Sequence, residues 1–237
     1  MDTANCNSMA RLRPDKLRIP SRCCWFCGTD PYLSINPVLT ELKEGVLYTF
    51  GSAPLRDVIL LLALVSLTGM PYAVLMPVFA KEILLGGPHT FGFLMAASGL
   101  GALTGALYLA SRKDSRGLEK VIPLAAGIFG FGLVAFSFSR FFMLSLILMV
   151  ITGFGMMMQM ASSNTVLQTI VDDDRRGRVM SFYAMAIMGT APFGSLLAGI
   201  AAKVIGTPHT LFLGGICCIV GACFFPWKLP GITKAIC

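Results

Sequence analysis

Few residues of this sequence have side chains that could bind a ligand or catalyse a reaction. The largest cluster of uncharged polar side chains lies inside an apolar stretch. That stretch runs Met-Met-Met-Gln-Met-Ala-Ser-Ser-Asn from Met156 to Asn164. If it forms a membrane helix, Gln159 and Ser163 share one face, and their polar groups need a partner or water. One interpretation is a substrate pathway lined by Met156, Gln159, Ser163 and Asn164, with methionine as adaptable apolar contact. The other, which we favour for Asn164, is hydrogen bonding between packed helices.

Covalent catalysis and metal binding find little support in the other candidate residues. Ser98 lies in a small-residue run similar to the serine motif of rhomboid proteases, but a nucleophilic serine needs a histidine at matching depth. His209 stands instead at the outer edge of another apolar stretch. Cys23, Cys24 and Cys27 could hold zinc if Cys6 supplied a fourth ligand, yet no histidine is near, and we expect reduced thiols. We therefore predict no enzyme activity, no catalytic residue, no metal and no cofactor.

The composition points to a membrane protein. Hydrophobic residues make up 55% of the 237 residues and charged residues 13%, whereas a soluble domain is about 25% charged. So little charge disfavours a soluble enzyme, a disordered protein and a disulfide-rich secreted module. We expect an integral, multi-pass membrane protein whose first partner is the lipid bilayer.

Windows without charge predict the membrane-spanning elements. A membrane helix needs about 20 mostly apolar residues, and six windows without Asp, Glu, Lys or Arg are long enough. They are Val58–Ala80, Ile83–Ser111, Val121–Ser139, Phe141–Val171, Val179–Ala202 and Val204–Trp227. Because each is continuously apolar rather than alternating, helices are favoured over strands. The sequence therefore predicts an all-α membrane protein with six transmembrane helices.

The basic residues between the windows predict the orientation. Of the 19 Lys and Arg residues, only Lys81, Arg140 and Lys203 fall on the side opposite the termini. Cytoplasmic loops carry the excess of basic residues in membrane proteins, so both termini are expected in the cytoplasm. Since the net charge of +7 is explained by the loops, we expect no nucleic-acid partner.

Acidic residues are absent from all six windows, and Asp57 stands at the edge of the first. A proton-coupled carrier normally needs an ionisable group within the membrane. Proton coupling therefore cannot be assigned to this chain from its own residues.

Four regions follow from these patterns. Residues 1–37 form a basic tail with scattered cysteine and proline and without the apolar core of a secretory signal. Residues 38–56 repeat apolar positions at helical spacing, beginning with Val38, Leu42 and Val46, and predict an amphipathic linker helix on the cytoplasmic membrane face. Residues 57–228 form the six-helix bundle, and residues 229–237 form a cytoplasmic tail.

Small residues and prolines within the windows predict close helix packing and kinks. The second window carries Gly101 and Gly105, and the fifth carries Pro192, Gly194 and Gly199. Two further prolines interrupt the first window, Pro71 and Pro77.

Two loops and one helix carry a family resemblance. The run from Asp172 to Ser181 resembles the Asp-Asp-x-Arg-Gly-Arg-Val-Met-Ser loop between helices ten and eleven of major facilitator superfamily transporters. Residues 105–117 are similar to a degenerate second copy of that superfamily's Gly-x-Leu-x-Asp-Arg-x-Gly-Arg loop, with Ser111 in place of the acid. The Gly/Pro pattern of residues 189–199 is similar to the fifth helix of exporters. The closest resemblance is to the enterobactin-exporter-like, multidrug-efflux branch, over residues 38–227.

The resemblance implies a set of gate residues in the cytoplasmic loops, with topological anchoring as the alternative role. They are Arg112, Arg116, Gly117, Asp173, Asp174, Arg176, Gly177 and Arg178. Transporters of this kind have two six-helix halves around a site near the midplane, and the resemblance covers only the carboxyl-terminal half.

Two hypotheses about function follow. The first is a transporter in a bacterial inner (plasma) membrane that exports a small amphipathic substrate, drug-like or siderophore-like, by alternating access, with proton antiport implied by the resemblance. The second is a half-transporter fragment without activity of its own, or a membrane subunit that pairs with a missing amino-terminal half or with a second copy of itself.

Overall fold

The computed structural model of the chain describes residue 51 and residues 53–112, 117–171 and 173–225. The basic tail of residues 1–37, most of the linker of residues 38–56 and the tail of residues 229–237 lie outside the described residues. The same holds for Arg116 and for the side chains of Asp173 and Asp174.

The described residues form α-helices and one π-helical segment, and these ranges contain no strand. The helices are α1 (Ala53–Thr68), α2 (Tyr72–Glu82), α3 (Pro88–Ser111), α4 (Leu118–Phe138), α5 (Phe142–Ile170), α6 (Asp173–Ala184), α7 (Thr190–Ile205) and α8 (Thr207–Phe224). The π-helical segment, Met185–Gly189, lies between α6 and α7.

Six segments of the described chain are long and apolar enough to cross a membrane. From the first span to the sixth they are Leu55–Glu82, Pro88–Ser111, Leu118–Phe138, Phe142–Ile170, Arg175–Ile205 and Thr207–Phe224. The first span joins α1 and α2, and the fifth joins α6, the π-helical segment and α7. This confirms the predicted all-α class and the multi-pass membrane protein.

The first span is interrupted near its middle. α1 ends at Thr68 and α2 begins at Tyr72. Pro71 has no backbone N–H and cannot continue the hydrogen-bond ladder of α1, whereas Pro77 lies inside α2 without ending it. A side chain at Gly69 would collide with the ring of Phe129 in α4. The break between α1 and α2 therefore lies where the first span packs against the third span.

The fifth span contains the π-helical segment just before Pro192. Proline removes the N–H that would bond to the carbonyl four residues earlier, and that carbonyl belongs to Met188 in the π-helical segment. Widened turns of this kind occur mostly as single insertions inside α-helices. The predicted distortion at Pro192 therefore takes the form of a π-helical turn in the preceding residues.

Close backbone approach holds the bundle together around α5, which packs mainly against α3 and α4. A side chain at Gly101 of α3 would collide with the carbonyl oxygen of Val150, and one at Gly153 of α5 with that of Ser98. Small residues allow such contacts between membrane helices.

Of the other glycines predicted to pack between helices, two lie close to a neighbouring helix and one does not. A Cβ at Gly105 would lie 3.2 Å from the Phe154 carbonyl oxygen, and one at Gly194 would collide with that of Leu67. A Cβ at Gly199 would meet no described atom within 4 Å. The packing role of Gly199 therefore stays a prediction, since the described chain offers no close neighbour at this position.

Candidate functional site

A polar face of α5 lies at the centre of the bundle. Gln159, Ser162 and Ser163 are fully buried, each with 0% of its surface exposed. Neither Nε2 nor Oε1 of Gln159 has a hydrogen-bond partner among the described residues, and the same is true of the two serine hydroxyls. Burying an amide or a hydroxyl without a partner costs about 1–3 kcal/mol. These side chains therefore need a partner from outside the described helices.

A small void adjoins Gln159. It has a volume of about 10 Å³ and is bordered by Ser66 and Met70 from the first span and by Ile187 from the π-helical segment. Met156 and Met160 of α5 also line it. A cavity of this size is at the lower limit for one water molecule. The described conformation is therefore closed around Gln159, and an opening large enough for a small organic molecule would need these elements to move apart.

Hydrogen bonds connect the helices that surround the void. Ser66 Oγ donates to the Ile187 carbonyl oxygen at 2.9 Å. The Tyr72 hydroxyl lies 3.2 Å from Ser98 Oγ and donates to Met156 Sδ at 3.8 Å. Of the predicted pathway residues, Met156 thus has a contact to the first span, while Gln159 and Ser163 have no such bond. Ser66 and Tyr72 were not singled out in the sequence, because single polar residues in an apolar run carry no distinguishing pattern.

Asn164 has a partner within its own helix. Gln168 Nε2 donates to Asn164 Oδ1 at 2.7 Å, on an exposed part of α5. This bond lies between residues four apart on one helix, not between helices. Asn164 therefore stands apart from the buried cluster of Gln159, Ser162 and Ser163.

The described gate candidates lie at one end of the bundle. Arg112 follows the last residue of α3, and Gly117 immediately precedes α4 with a φ of 85°, a conformation that favours glycine. Arg176 Nη2 donates to the Gln168 carbonyl oxygen at 3.3 Å, near the end of α5. Gly177 and Arg178 are exposed in α6. The contact of Arg176 places a positive charge where a helix carries partial negative charge.

Two carboxylates are buried at helix ends. Asp57 of α1 is 6% exposed and accepts a bond from Arg56 Nε at 3.4 Å; Glu119 of α4 is 5% exposed. Glu119 Oε2 has no hydrogen-bond partner among the described residues. The helices extend about one turn beyond the starts of the first and third charge-free windows, so Asp57, expected at the edge of its window, lies in the first helix of the bundle, and Glu119 lies in the first turn of α4. Neither residue lies near the bundle centre that Gln159 occupies.

Catalytic and metal-binding arrangements are not seen in the described part of the chain. His209 is exposed at the start of α8, whereas Ser98 is buried against Tyr72. No group of three or more His, Cys, Asp or Glu side chains is placed to hold a metal within these ranges. Cys6, Cys23, Cys24 and Cys27 lie outside the described residues.

Comparison with known proteins gives two matches. Residues 30–235 match the model of a family described as transmembrane secretion effectors, a family of major facilitator superfamily transporters. The chain is also 29% identical over 163 residues to the staphyloferrin A transporter of Staphylococcus aureus (strain NCTC 8325 / PS 47). That alignment covers 68% of the chain and 40% of the relative, so the chain spans less than half of the relative's length. No solved structure matches the chain.

Proposed function

This chain belongs to the transmembrane secretion effector family of major facilitator superfamily transporters, and on that premise we propose that it exports small amphipathic compounds by alternating access. Drug-like and siderophore-like molecules are the substrate class. Support for the class comes from the relative in Staphylococcus aureus, whose name describes a staphyloferrin A transporter. In this proposal the chain supplies one six-helix half of a transporter, with the substrate site where the two halves meet.

The observation that carries the proposal is the buried polar cluster of Gln159, Ser162 and Ser163. Its side-chain polar atoms have no hydrogen-bond partner among the described residues, although the fold brings them to the interior of the bundle. A structural amide within a membrane normally bonds to a neighbouring helix. A polar group kept unpaired in the packed helices is suited to bind water or substrate when the site opens. We assign Gln159 and Ser163 to the substrate pathway on this ground, together with Met156.

Opening of this cluster involves the two irregular segments that lie beside it. The interruption of the first span at Gly69–Pro71 and the π-helical segment of the fifth span both contribute to the void around Gln159, through Met70 and Ile187. Hinges are a few residues at the ends of helices that absorb backbone change. In the proposal, movement at these two segments converts the closed void into a site open to one side of the membrane, without a covalent step.

The loop arginines act as a gate in this scheme. Arg176 joins the start of the fifth span to the end of α5 through the Gln168 carbonyl. A contact between neighbouring helix ends can hold one state and be lost in the other. We propose this role for Arg176, and by resemblance for Arg112, Gly117 and Arg178. Arg116, Asp173 and Asp174 would belong to the same gate, and their proposed role rests on the sequence alone.

A second candidate function is a membrane subunit that requires a partner half. The fifth span is the least buried of the six, and Gly199 on that span faces open space. Interfaces between membrane helices are enriched in small residues that let the backbones approach. This favours a further membrane segment against the fifth span, from an amino-terminal half or from a second copy of the chain.

Accumulation of a fluorescent amphipathic dye tests the proposal. Cells that lack their own efflux pumps would express the full chain, alone or with the amino-terminal half of the staphyloferrin A transporter. Lower dye accumulation in either case supports transport, and the case that works decides between the two candidate functions. Unchanged accumulation in both cases, with the protein present in the membrane, would contradict the export proposal.

The role of Gln159 is tested by comparing two matched substitutions in whichever form exports dye, the chain alone or the chain with the added amino-terminal half. Gln159→Leu should change the range of exported compounds, whereas Gln168→Leu, the same change at an exposed position of α5, should not. An unchanged range for Gln159→Leu at equal protein level would remove Gln159 from the pathway.

A further inference from the structure

A groove between α4 and α8 opens on the outer surface of the bundle, away from the polar cluster of α5. Its volume is about 610 Å³, within the range of about 300–1,000 Å³ that is typical of small-molecule sites. Leu124 and Phe131 of α4 border it on one side, and Ile219 and Ala222 of α8 on the other. None of these residues belongs to the proposed transport pathway.

One end of the groove carries Lys120, in the first turn of α4, which is the charged member of the described residues that line it. The remaining lining residues are uncharged. The lysine side chain is exposed, whereas the neighbouring acid, Glu119, is buried. Lys120 therefore presents a positive charge at this end of the groove, while the acid that precedes it in the sequence is buried.

The length of the groove matches the depth of one membrane leaflet. It follows α4 from Lys120 to Phe131, which corresponds to about 16 Å along an α-helix. The hydrocarbon core of a bilayer is about 30 Å thick, so one leaflet contributes about 15 Å. With Lys120 at the membrane–water boundary, the far end of the groove lies near the middle of the bilayer.

We propose that this groove binds a phospholipid with an anionic headgroup, with one acyl chain along α4 and the headgroup at Lys120. Basic pockets between membrane helices on the cytoplasmic side attract anionic headgroups, and the predicted orientation places Lys120 on that side. The apolar walls exclude a polar ligand over the rest of the length.

A protein helix fits the groove less well than a lipid. Helix–helix contacts in membranes use small residues that allow the backbones to approach, as Gly101 and Gly153 do between α3 and α5. The groove contains Gly127 and Ala222, but large side chains also line it, and Leu124 and Phe131 are 64% and 61% exposed. Flexible acyl chains can follow such an irregular wall, and a helix partner would also need an acid to face Lys120.

Two substitutions separate the contribution of the headgroup from that of the acyl chain. Lys120→Gln removes the charge at an exposed position. Gly127→Leu places a side chain in the groove, where an added Cβ would first meet the Cβ of Ala222 at 3.9 Å, an ordinary contact. The matched controls are Lys203→Gln, an exposed lysine at the end of α7, and Gly199→Leu, at a glycine whose added Cβ would meet no described atom within 4 Å.

Native mass spectrometry of the full chain in detergent measures the most tightly bound lipid. Phosphatidylglycerol and phosphatidylcholine with identical acyl chains serve as probes. We expect the anionic lipid to bind about fivefold more tightly to the unmodified chain, the factor that one basic residue near a membrane surface provides. Lys120→Gln should abolish this preference and leave phosphatidylcholine binding unchanged, while Gly127→Leu should weaken both lipids. Both control variants should bind as the unmodified chain does.

Three results would overturn the proposal. One is a preference for phosphatidylglycerol that persists in Lys120→Gln, and another is unchanged binding of both lipids to Gly127→Leu. The third is a loss of dimer mass in Gly127→Leu with lipid binding intact, which would assign the groove to a second copy of the chain. Thermal unfolding and elution volume, compared with those of the unmodified chain, establish that each variant is folded. If Gly127→Leu does not fold, Lys120→Gln still tests the headgroup site.

Discussion

Ser66 Oγ donates a hydrogen bond of 2.9 Å to the carbonyl oxygen of Ile187 and so joins the first span to the π-helical segment of the fifth. Ser66 is 3% exposed, and both residues border the void beside Gln159. This bond lies at the boundary that must open if Gln159 is to meet a substrate. It is a better target than the exposed loop contact of Arg176, because it is partly buried and joins α1 to the π-helical segment.

Ser66→Ala should destabilise the closed arrangement. Loss of the hydroxyl leaves a partly buried carbonyl without this donor, which costs about 1 kcal/mol. We expect a lower free energy of unfolding in detergent and an altered export rate. Ser111→Ala is the control, because Ser111 Oγ donates to the Tyr108 carbonyl at 2.7 Å within one exposed turn, and it should change stability by less than about 0.5 kcal/mol. Equal effects of the two substitutions would contradict a special role for the Ser66 bond.

Gln159→Leu should leave the bundle as stable as before or make it more stable. An amide without a partner in the fold contributes an unfavourable desolvation of about 1–3 kcal/mol, and leucine has nearly the same size without polar atoms. The measurement is the unfolding midpoint of the full chain in detergent, alongside Gln168→Leu. The latter loses the 2.7 Å bond to Asn164 on an exposed surface and should change little.

The direction of the Gln159 effect distinguishes a functional amide from a structural one. A structural hydrogen bond between helices, the alternative considered from the sequence, would make Gln159→Leu destabilising. A lower unfolding midpoint for Gln159→Leu than for Gln168→Leu would therefore support the structural role and weaken the assignment to a pathway.

Gly101→Ala should loosen the packing of α3 on α5. The added methyl group would collide with the carbonyl oxygen of Val150, and overpacking of this kind costs about 1–3 kcal/mol. Gly199→Ala meets no described atom within 4 Å and should be neutral, or stabilising by up to about 1 kcal/mol through helix propensity. Thermal unfolding of the two purified variants checks this, and a stable Gly101→Ala beside a destabilised Gly199→Ala would contradict the packing described.

Arg176→Gln should change export more than stability. The side chain is exposed and its bond to the Gln168 carbonyl is 3.3 Å long, so its contribution to folding is expected to be below about 1 kcal/mol. A gate contact would nevertheless alter the balance between states, and with it the rate of dye export. Lys203→Gln, an exposed basic residue at the end of α7, is the control. Unchanged export for Arg176→Gln would leave simple anchoring as the role of this loop.

The number and type of the spans could be predicted from the sequence because lipid excludes charge and requires internal backbone hydrogen bonding. The windows without charge begin inward of the helix starts, which include Asp57 and Glu119. A helix continues past its last apolar residue as long as its backbone hydrogen bonds can still form. A carboxylate at a helix end can be covered by neighbouring helices. A window without charge therefore marks the apolar core of a span and not the end of its helix.

The state of the polar cluster could not be predicted. Periodicity places Gln159 and Ser163 on one face, but whether a neighbouring helix offers a partner depends on how the helices pack. The π-helical segment was likewise missed, because Pro192 signals a lost hydrogen bond and not the form that the preceding turn takes. Ser66 becomes notable only through its contact with that turn.

The accessibility of position 159 tests the central claim most directly. The eight native cysteines would be replaced, and Gln159→Cys, Gln168→Cys and Ser145→Cys would each be treated in cell membranes with a small water-soluble thiol reagent. Gln168 is exposed and Ser145 is fully buried, so cysteines at these two positions give the upper and lower limits of the labelling rate. The proposed transport pathway predicts that Gln159→Cys reacts clearly faster than Ser145→Cys and more slowly when an exported compound is present. Reaction no faster than that of Ser145→Cys, under every condition in which dye is exported, would contradict it.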